Sequence, residues 1–301
     1  MEIKKYFSIK MLAVVSAFVL LIISLTCYNS FDTNAGLSQR SYLRYDYKNP
    51  NAAPYQYTIS VPDTVFENTP EPYTIFPPND MVRDYDTSVV RLSIGGTGFI
   101  IGKHTIVTAG HCVYDINQKK FDNFTIDIVG NDNSAIKTIT PHYVHVPKNF
   151  ADLTKYNTMP DIQYDYALIY VEEDLSAYGM FNMGICLDKY IDDKGKVIVS
   201  GFPQKYPSNY NDSEYGLRFK ASGNIISSEN NGRNITYDAD ATNGDSGGPV
   251  YVNESYVDSR VSYDYNTVVA INVSQFVAFN AGVRINFDIL YFCYQNANLT
   301  A

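Results

Sequence analysis

The feature that most constrains this chain is a series of short runs of β-branched and aromatic residues that begins near Ser88. The runs are separated by Gly, Asn, Asp and Pro, which favour turns and interrupt strands. The strand candidates are Val89–Ile94, Thr97–Ile101, Thr105–Thr108, Thr125–Val129, Tyr166–Val171, Lys196–Ser200, Thr267–Val273 and Gly282–Ile285. Many short strands at this spacing predict an all-β barrel or sandwich. Only Phe287–Gln295 is patterned as a helix.

The composition supports a folded protein and argues against nucleic acid as a partner. The 301 residues are 45% hydrophobic and include 27 Tyr and 16 Phe but no Trp, enough for one large core or two smaller ones. The formal net charge is −9, and no cluster of Lys and Arg follows the N-terminus. Such a surface repels phosphate backbones, so we expect no nucleic-acid binding.

The first residues have the pattern of an export signal. Lys4, Lys5 and Lys10 precede the uncharged run Met11–Leu25, which predicts a signal peptide over residues 1–30 and a secreted protein. The apolar run is short for a membrane span of roughly 20 residues, but the uncharged sequence continues to Phe31. An uncleaved membrane anchor is therefore the alternative.

Residues 31–73 are rich in Asn, Tyr, Pro and charged side chains and lack sustained periodicity. This composition predicts a propeptide or linker that adds little to the core. Beyond it, Cys112, Cys186 and Cys293 form no C-x-x-C pair, so we expect no metal and no cofactor. These cysteines could form one disulfide and leave one thiol, or remain three buried thiols. Separately, we expect the protein to be a monomer.

The segment 244–250 reads Gly-Asp-Ser-Gly-Gly-Pro-Val. A serine hydroxyl is a weak nucleophile, and it needs a neighbouring base and donors for the oxyanion that it creates. Glycines permit a tight backbone that would expose the Ser246 hydroxyl and aim the Gly244 and Ser246 N–H groups at the oxyanion. A glycine-rich hairpin loop is the structural alternative. We predict Ser246 as the nucleophile, and Gly244 and Ser246 as the oxyanion hole.

A histidine and an aspartate flank apolar strand candidates elsewhere. His111 follows the run Thr105–Thr108, and an imidazole titrates near neutrality, so His111 is the natural base for Ser246. Asp165 precedes the run Tyr166–Val171 and could accept the other N–H of the histidine, which fixes its tautomer. Most such aspartates only cap a turn, but the three residues together predict a Ser-His-Asp triad.

These three segments resemble the signature segments of trypsin-like, chymotrypsin-fold serine peptidases, in the order His, Asp, Ser. They read Thr-Ala-Gly-His-Cys at 108–112, Tyr-Asp-Tyr-Ala at 164–167 and Gly-Asp-Ser-Gly-Gly-Pro at 244–249. The resemblance extends from about Thr74 to Ile285. It implies two six-stranded antiparallel β-barrels with the triad in the cleft between them, and no cofactor.

Within that group the chain resembles bacterial glutamyl endopeptidases, through Pro-Asn-Asp-Met-Val-Arg at 78–83, Gly-Phe-Pro at 201–203 and the residues before Ser246. In those enzymes a histidine at the position of Asn272 helps to bind the glutamate carboxylate, and Asn brings no positive charge. Asp240 lies where trypsins carry the acid that favours Arg or Lys, although some glutamyl endopeptidases also have Asp there. An acidic, a basic or a neutral P1 preference therefore stays open.

Two further positions depart from one or the other group. Asp245 is trypsin-like, and in trypsins this residue pairs with the ammonium group of the new N-terminus. The resemblance therefore implies a zymogen that is activated by cleavage near Thr74. Trypsin-like enzymes often pair the cysteine after the catalytic histidine with one on the preceding strand, but residues 94–98 contain none. Cys112 thus lacks that partner.

The sequence as a whole predicts a secreted serine endopeptidase that hydrolyses protein or peptide substrates through an acyl-enzyme on Ser246. We expect the N-terminal barrel at residues 74–190, with His111 and Asp165, and the C-terminal barrel at 191–301, with Ser246. The alternative is a non-catalytic extracellular binding protein on the same fold. An esterase is disfavoured because the Gly-x-Ser-x-Gly elbow belongs to an α/β fold with a different triad order.

Overall fold

The computed structural model describes residues 37–62, 81–156, 159–204, 216–252, 255–257, 262–275 and 279–298. The predicted signal peptide, residues 1–30, and the predicted cleavage point near Thr74 lie outside these residues. No helix in the described part of the chain is long and apolar enough to cross a membrane.

The strands of the N-terminal half are β1 (Leu37–Asp46), β2 (Tyr55–Pro62), β3 (Val82–Arg83), β4 (Val89–Leu92), β5 (Gly96–Gly102), β6 (Thr105–Thr108), β7 (Tyr114–Asp115), β8 (Lys120–Phe121), β9 (Ile126–Val129), β10 (Ala135–Ile139), β11 (Tyr143–Pro147) and β12 (Ala167–Tyr170). Those of the C-terminal half are β13 (Asn182–Met183), β14 (Lys196–Gly201), β15 (Phe219–Glu229), β16 (Asn234–Tyr237), β17 (Pro249–Val252), β18 (Tyr256–Val257), β19 (Ser262–Tyr263), β20 (Thr267–Gln275) and β21 (Asn280–Arg284). The helices are α1 (Lys148–Ala151), α2 (Met159–Ile162), α3 (Asp188–Asp192) and α4 (Phe287–Asn298), with 3₁₀ turns at Gly110–Cys112 and Ser176–Tyr178.

The C-terminal lobe is a closed six-stranded barrel. Its antiparallel strands follow the order β20-β17-β14-β15-β16-β21, and β21 pairs back with β20. Closure leaves none of these six strands as a free edge. This barrel, the few short helices and the C-terminal helix α4 confirm the predicted all-β fold class.

The N-terminal lobe is one antiparallel sheet of nine strands in the order β10-β9-β4-β5-β6-β12-β11-β1-β2. Its centre is buried, since all four residues of β6 and three of the four residues of β12 are buried. The sheet therefore has more than the six strands that were expected, and two of the additional strands come from the N-terminal segment. The N-terminal segment also links the two halves of the chain, because its strand β2 contacts the C-terminal helix α4.

The expectation that residues 31–73 add little to the core is wrong for residues 37–62. This N-terminal hairpin, β1 and β2, pairs with β11 from Tyr42↔Pro147 to Asp46↔Tyr143. Tyr42 and Val61 are completely buried. The segment carries alternating tyrosines instead of a run of aliphatic residues, and its burial depends on partners distant in sequence. Removal of residues 31–73 as a propeptide stays a prediction.

The described cysteines resolve the alternatives left by the sequence. Cys112, Cys186 and Cys293 are all free and buried. They lie in separate places, because Cys112 packs beside Ser246 whereas Cys293 lies in α4. The second alternative, three buried thiols, is therefore the one that the structure has.

Candidate active site

Strand register brings His111 and Asp165 together. The antiparallel partners β6 and β12 align Thr108 with Ala167. His111 follows Thr108 in a 3₁₀ turn, and Asp165 precedes Ala167, so both residues emerge at the same end of the strand pair. His111 Nδ1 lies 2.6 Å from Asp165 Oδ2, and the His111 backbone N–H donates to Asp165 Oδ1 at 2.8 Å. These two contacts fix the position and the orientation of the imidazole.

The ion pair determines the protonation of His111. Burial lowers the pKa of His111, but the Asp165 carboxylate raises it, and the net result lies well above 6.5. Asp165 is completely buried, whereas the His111 side chain is 30% exposed. The imidazole is therefore held from the protein side and remains accessible from the cleft, as a general base must be.

Ser246 lies in a loop whose backbone requires glycine. Gly244 and Gly247 have φ of +99° and +85°, a region that other residues rarely adopt. A Cβ on Gly247 would also lie 2.1 Å from Thr108 Oγ1. The Ser246 carbonyl accepts from the Thr97 N–H at 2.8 Å, which ties the loop to the N-terminal lobe. Neither the Gly244 N–H nor the Ser246 N–H donates a hydrogen bond to another of the described residues.

His111 and Ser246 line the same cavity, of about 260 Å³. Its other described lining residues are Tyr156, Ala241, Thr242, Asn243, Asn272 and Val273. Within the described residues, the structure therefore brings five of the six sequence-predicted site residues to one region: the triad, Gly244 in the serine loop, and Asn272.

Asp240 is the exception among those candidates. The neighbouring residues Ala241 and Thr242 line the cavity, but Asp240 is not among the described lining residues. Its charge acts instead on Asp245, since it raises the pKa of that carboxyl group. The sequence position that suggested a pocket acid therefore does not correspond to a cavity-lining side chain.

Asn272 lines the cavity, but its side chain is engaged within the protein. Its Oδ1 accepts from the Tyr237 hydroxyl at 2.6 Å, and its Nδ2 donates to the Asp245 carbonyl at 2.9 Å. Its backbone also accepts from the Gly247 N–H at 2.7 Å. The side chain is 3% exposed. Asn272 thus supports the serine loop as well as forming part of the cavity wall.

Asp245 is buried beneath the serine loop. One carboxylate oxygen, Oδ2, accepts from the Thr242 N–H at 2.8 Å, and Oδ1 has no partner among the described residues. Burial raises the pKa of Asp245 to about 8, the Thr242 N–H opposes this, and the charge of Asp240 adds to it. At neutral pH this carboxyl group is therefore largely protonated.

The site also contains a residue that sequence reasoning missed. The Tyr156 hydroxyl donates a hydrogen bond to Asp165 Oδ2, and the tyrosine ring lies against His111. The chain has 27 tyrosines, and no sequence pattern distinguishes this one. Only the tertiary structure places it beside the aspartate.

The order His, Asp, Ser in one cleft is matched by a known family. The family model described as Trypsin matches residues 80–280. The chain belongs to the trypsin family. It is a serine endopeptidase, and the matched region extends from just before β3 to the start of β21.

Two curated proteins are similar to this trypsin-family chain. Glutamyl endopeptidase of Bacillus licheniformis is 25% identical over 272 residues, which cover 87% of this chain and 76% of that protein. The extracellular metalloprotease of Bacillus subtilis strain 168 is 26% identical over 199 residues, which cover 65% and 56%. Among the described residues of this chain, no group of three or more His, Cys, Asp or Glu side chains is placed to hold a metal ion.

A solved structure supports the fold assignment. The structure described as Glu endopeptidase in complex with MPD matches with a TM-score of 0.60 at 16% identity, covering 74% of this chain and 99% of that one. Protease Anisep from Arthrobacter nicotinovorans matches with a TM-score of 0.54, also at 16% identity, and covers 72% and 98%. At such low identity these matches bear on the fold alone.

Proposed function

We propose that this protein is an exported endopeptidase in which Ser246, His111 and Asp165 form the catalytic triad. The observation that carries the proposal is the 2.6 Å contact between His111 Nδ1 and Asp165 Oδ2 beside a cavity that Ser246 also lines. Asp165 holds the imidazole so that its other nitrogen is free to face the serine hydroxyl. Export rests on the N-terminal sequence pattern.

In this mechanism the Ser246 hydroxyl attacks the scissile carbonyl while His111 accepts its proton. The negative charge that develops on the carbonyl oxygen is stabilised by the N–H groups of Gly244 and Ser246. His111 then gives the proton to the leaving amine, and the C–N bond breaks to leave an acyl-enzyme on Ser246. Water, activated by His111, hydrolyses the ester and releases the second product.

The triad is tested by labelling with a serine-directed fluorophosphonate. The expected result is one adduct per chain, on Ser246, and none on the Ser246→Ala variant. His111→Ala should label far more slowly, because the hydroxyl then lacks its base. Absence of labelling in a folded wild-type protein would contradict the proposal, provided that a chain processed ahead of residue 81 also fails to label.

We further propose that the primary pocket prefers an uncharged P1 residue. The similar protein of Bacillus licheniformis is named for glutamyl specificity, but the hydrogen-bonding atoms of Asn272 are used by Tyr237 and Asp245. Apart from His111, the described lining residues carry no charge. A charged P1 side chain would therefore lose hydration without gaining an ion pair from these residues.

A peptide-library digest analysed by mass spectrometry tests the pocket. We expect cleavage after small or uncharged polar residues to dominate. A profile dominated by Glu, or by Arg and Lys, would contradict the uncharged pocket and leave the triad unaffected. The matched control is the Ser246→Ala protein, whose digest identifies any cleavage by contaminating proteases.

Activation by proteolysis is the last part of the proposal. Asp245 has an unpartnered buried oxygen, Oδ1, next to the nucleophile. An ammonium group brought to this oxygen would be stabilised by the carboxylate and would in turn lower the pKa of Asp245. The test compares fluorophosphonate labelling of the unprocessed chain with that of a chain cleaved near Thr74. Equal labelling rates would contradict activation by cleavage.

A further inference from the structure

The Asp165 carboxylate is completely buried, and each of its oxygens is satisfied by named donors. Oδ1 accepts from the His111 backbone N–H, and Oδ2 faces His111 Nδ1. The Tyr156 hydroxyl is the third donor, and it reaches the same oxygen, Oδ2, that holds the imidazole. A buried carboxylate without such donors would be costly.

The Tyr156 ring also lies beside the imidazole and in the wall of the cavity. The ring centroids of Tyr156 and His111 are 5.7 Å apart, with planes inclined by 34°. Phe150 also packs against Tyr156, edge to face, with centroids 5.9 Å apart. The tyrosine therefore contacts both a buried core residue and the proposed catalytic base. This packing limits the positions that its hydroxyl can take.

From these contacts we propose that Tyr156 is a positioning residue for catalysis, which tunes His111 through its hydrogen bond to Asp165. The inference rests on the proposed triad. The Tyr156 hydroxyl withdraws negative charge from Asp165 Oδ2 and so moderates the attraction between that carboxylate and the imidazolium. It also holds Oδ2 in line with His111 Nδ1. Tyr156 does not touch the reacting atoms in this role.

The hydroxyl is suited to be a permanent donor. Burial raises the pKa of Tyr156, and the neighbouring Asp165 carboxylate raises it further. The phenol therefore stays protonated wherever the enzyme works, and its single proton is committed to Asp165. A hydrogen bond to a charged group in a buried site is stronger than one between neutral groups.

The proposal predicts the direction in which loss of the Tyr156 hydroxyl shifts the pKa of His111. Labelling by a fluorophosphonate requires neutral His111, so its rate falls as pH decreases through the pKa of that residue. Without the Tyr156 hydroxyl, the charge of Asp165 is less dispersed and stabilises the imidazolium more. Tyr156→Phe should therefore move the midpoint of the acid limb to higher pH. It should also slow labelling at the plateau by about tenfold.

A second variant should shift the acid limb in the opposite direction while nearly preserving the size and shape of the Tyr156 side chain. Replacement of Tyr156 by 3-fluorotyrosine, through amber suppression, strengthens the phenol as a donor and should move the acid limb to lower pH. The control is Tyr170→Phe, since Tyr170 is half-buried on β12 and no described residue hydrogen-bonds to its hydroxyl. Its profile should superimpose on that of the wild type.

The experiment measures the second-order rate constant of fluorophosphonate labelling against pH for the wild type and the three variants, each before and after cleavage near Thr74. A midpoint that moves to higher pH for Tyr156→Phe and to lower pH for 3-fluorotyrosine supports the proposal. Midpoints that coincide with the wild type, or shifts of both variants in one direction, would overturn it. If Tyr156→Phe fails to fold, the direction of the shift in the 3-fluorotyrosine protein, which keeps the hydroxyl, still tests the proposal. A folded wild type that labels neither as the full chain nor after cleavage near Thr74 would instead refute the proposed function.

Discussion

Tyr42 in the N-terminal hairpin stacks on Phe292 in the C-terminal helix, with ring centroids 4.1 Å apart and planes inclined by 3°. The Tyr42 hydroxyl lies 3.1 Å from that of Tyr166, the residue after Asp165. On the same hairpin, Arg40 pairs with Asp288 of the helix at 2.8 Å. The first described strand of the chain is thus connected to its last helix and to the segment that carries Asp165.

This relationship predicts that the hairpin contributes to the stability of the catalytic body. Tyr42→Ala should lower the free energy of unfolding by about 3–5 kcal/mol, because it removes a fully buried aromatic ring. Urea denaturation, followed by circular dichroism in the Ser246→Ala background to prevent autolysis, measures the loss. Tyr55→Ala on the same hairpin is the control, since Tyr55 is 59% exposed. A loss for Tyr42→Ala as small as that for Tyr55→Ala would indicate that the hairpin does not pack on the body in solution.

The buried acid Asp245 predicts a pH dependence of stability. Its folded pKa of about 8 lies above the ordinary value of 3.8, so the folded state binds the proton more tightly than the unfolded state does. The stabilisation is fully present below pH 3.8 and is lost as pH rises towards 8, by at most about 1.4 kcal/mol per pH unit. Asp245→Asn should flatten this slope.

Urea titrations at several pH values between 4 and 8, on unprocessed chains in the Ser246→Ala background, measure this dependence. The control is Asp127→Asn, because Asp127 lies in the N-terminal lobe and pairs with Arg91 instead. If the wild-type protein and Asp245→Asn lose stability with the same slope, the buried carboxyl group is not the source. An ammonium group near Asp245 would also reduce the slope, so the same titration on a chain cleaved near Thr74 reports on activation.

The sequence predicted the local elements that carry Ser246, His111 and Asp165 better than it predicted what surrounds them. Thr105–Thr108 matches β6 residue for residue, because an apolar strand followed by a glycine turn is a local pattern. The serine loop is also a local pattern, since Gly244 and Gly247 supply the positive φ angles that its tight turn requires. By contrast, burial of Tyr42 depends on Phe292, and the role of Tyr156 depends on Asp165 across a turn. Such contacts leave no periodic signal in a tyrosine-rich chain.

The proposed uncharged pocket predicts that Asp240 does not determine which P1 residues are preferred. Because Asp240 is not among the described residues that line the cavity, Asp240→Asn should leave the ranking of P1 residues in a peptide library unchanged. The measurement compares normalised cleavage frequencies for wild type and variant at equal concentrations of titrated active sites. A selective loss of cleavage after Arg or Lys would show that this carboxylate reaches the substrate and would contradict the uncharged pocket.

The free thiol of Cys112 predicts that a disulfide can be introduced at Gly96. A Cβ built on Gly96 lies 2.7 Å from Cys112 Sγ and 3.3 Å from Cys112 Cβ. Disulfides have Cβ–Cβ distances of about 3.5–4.5 Å, so an adjustment of a few tenths of an ångström suffices. Gly96→Cys should therefore form a bond to Cys112 and stabilise the protein by about 3 kcal/mol, the value for a loop of this length.

Peptide mapping by mass spectrometry under non-reducing conditions identifies the cross-link, and urea denaturation with and without reductant measures its effect. Gly96→Ser is the control, because its side chain meets the same sulfur at close range and cannot bond to it, so it should be destabilised.

Since the Ser246 carbonyl is anchored by the neighbouring Thr97 N–H and contacts Cys112 Sγ at 3.4 Å, the bond should also hold the serine loop. Fluorophosphonate labelling should then survive to higher urea concentrations than in the wild type. A Gly96→Cys protein whose two thiols stay reduced under oxidising conditions would show that β5 and the His111 turn lie further apart than this geometry requires.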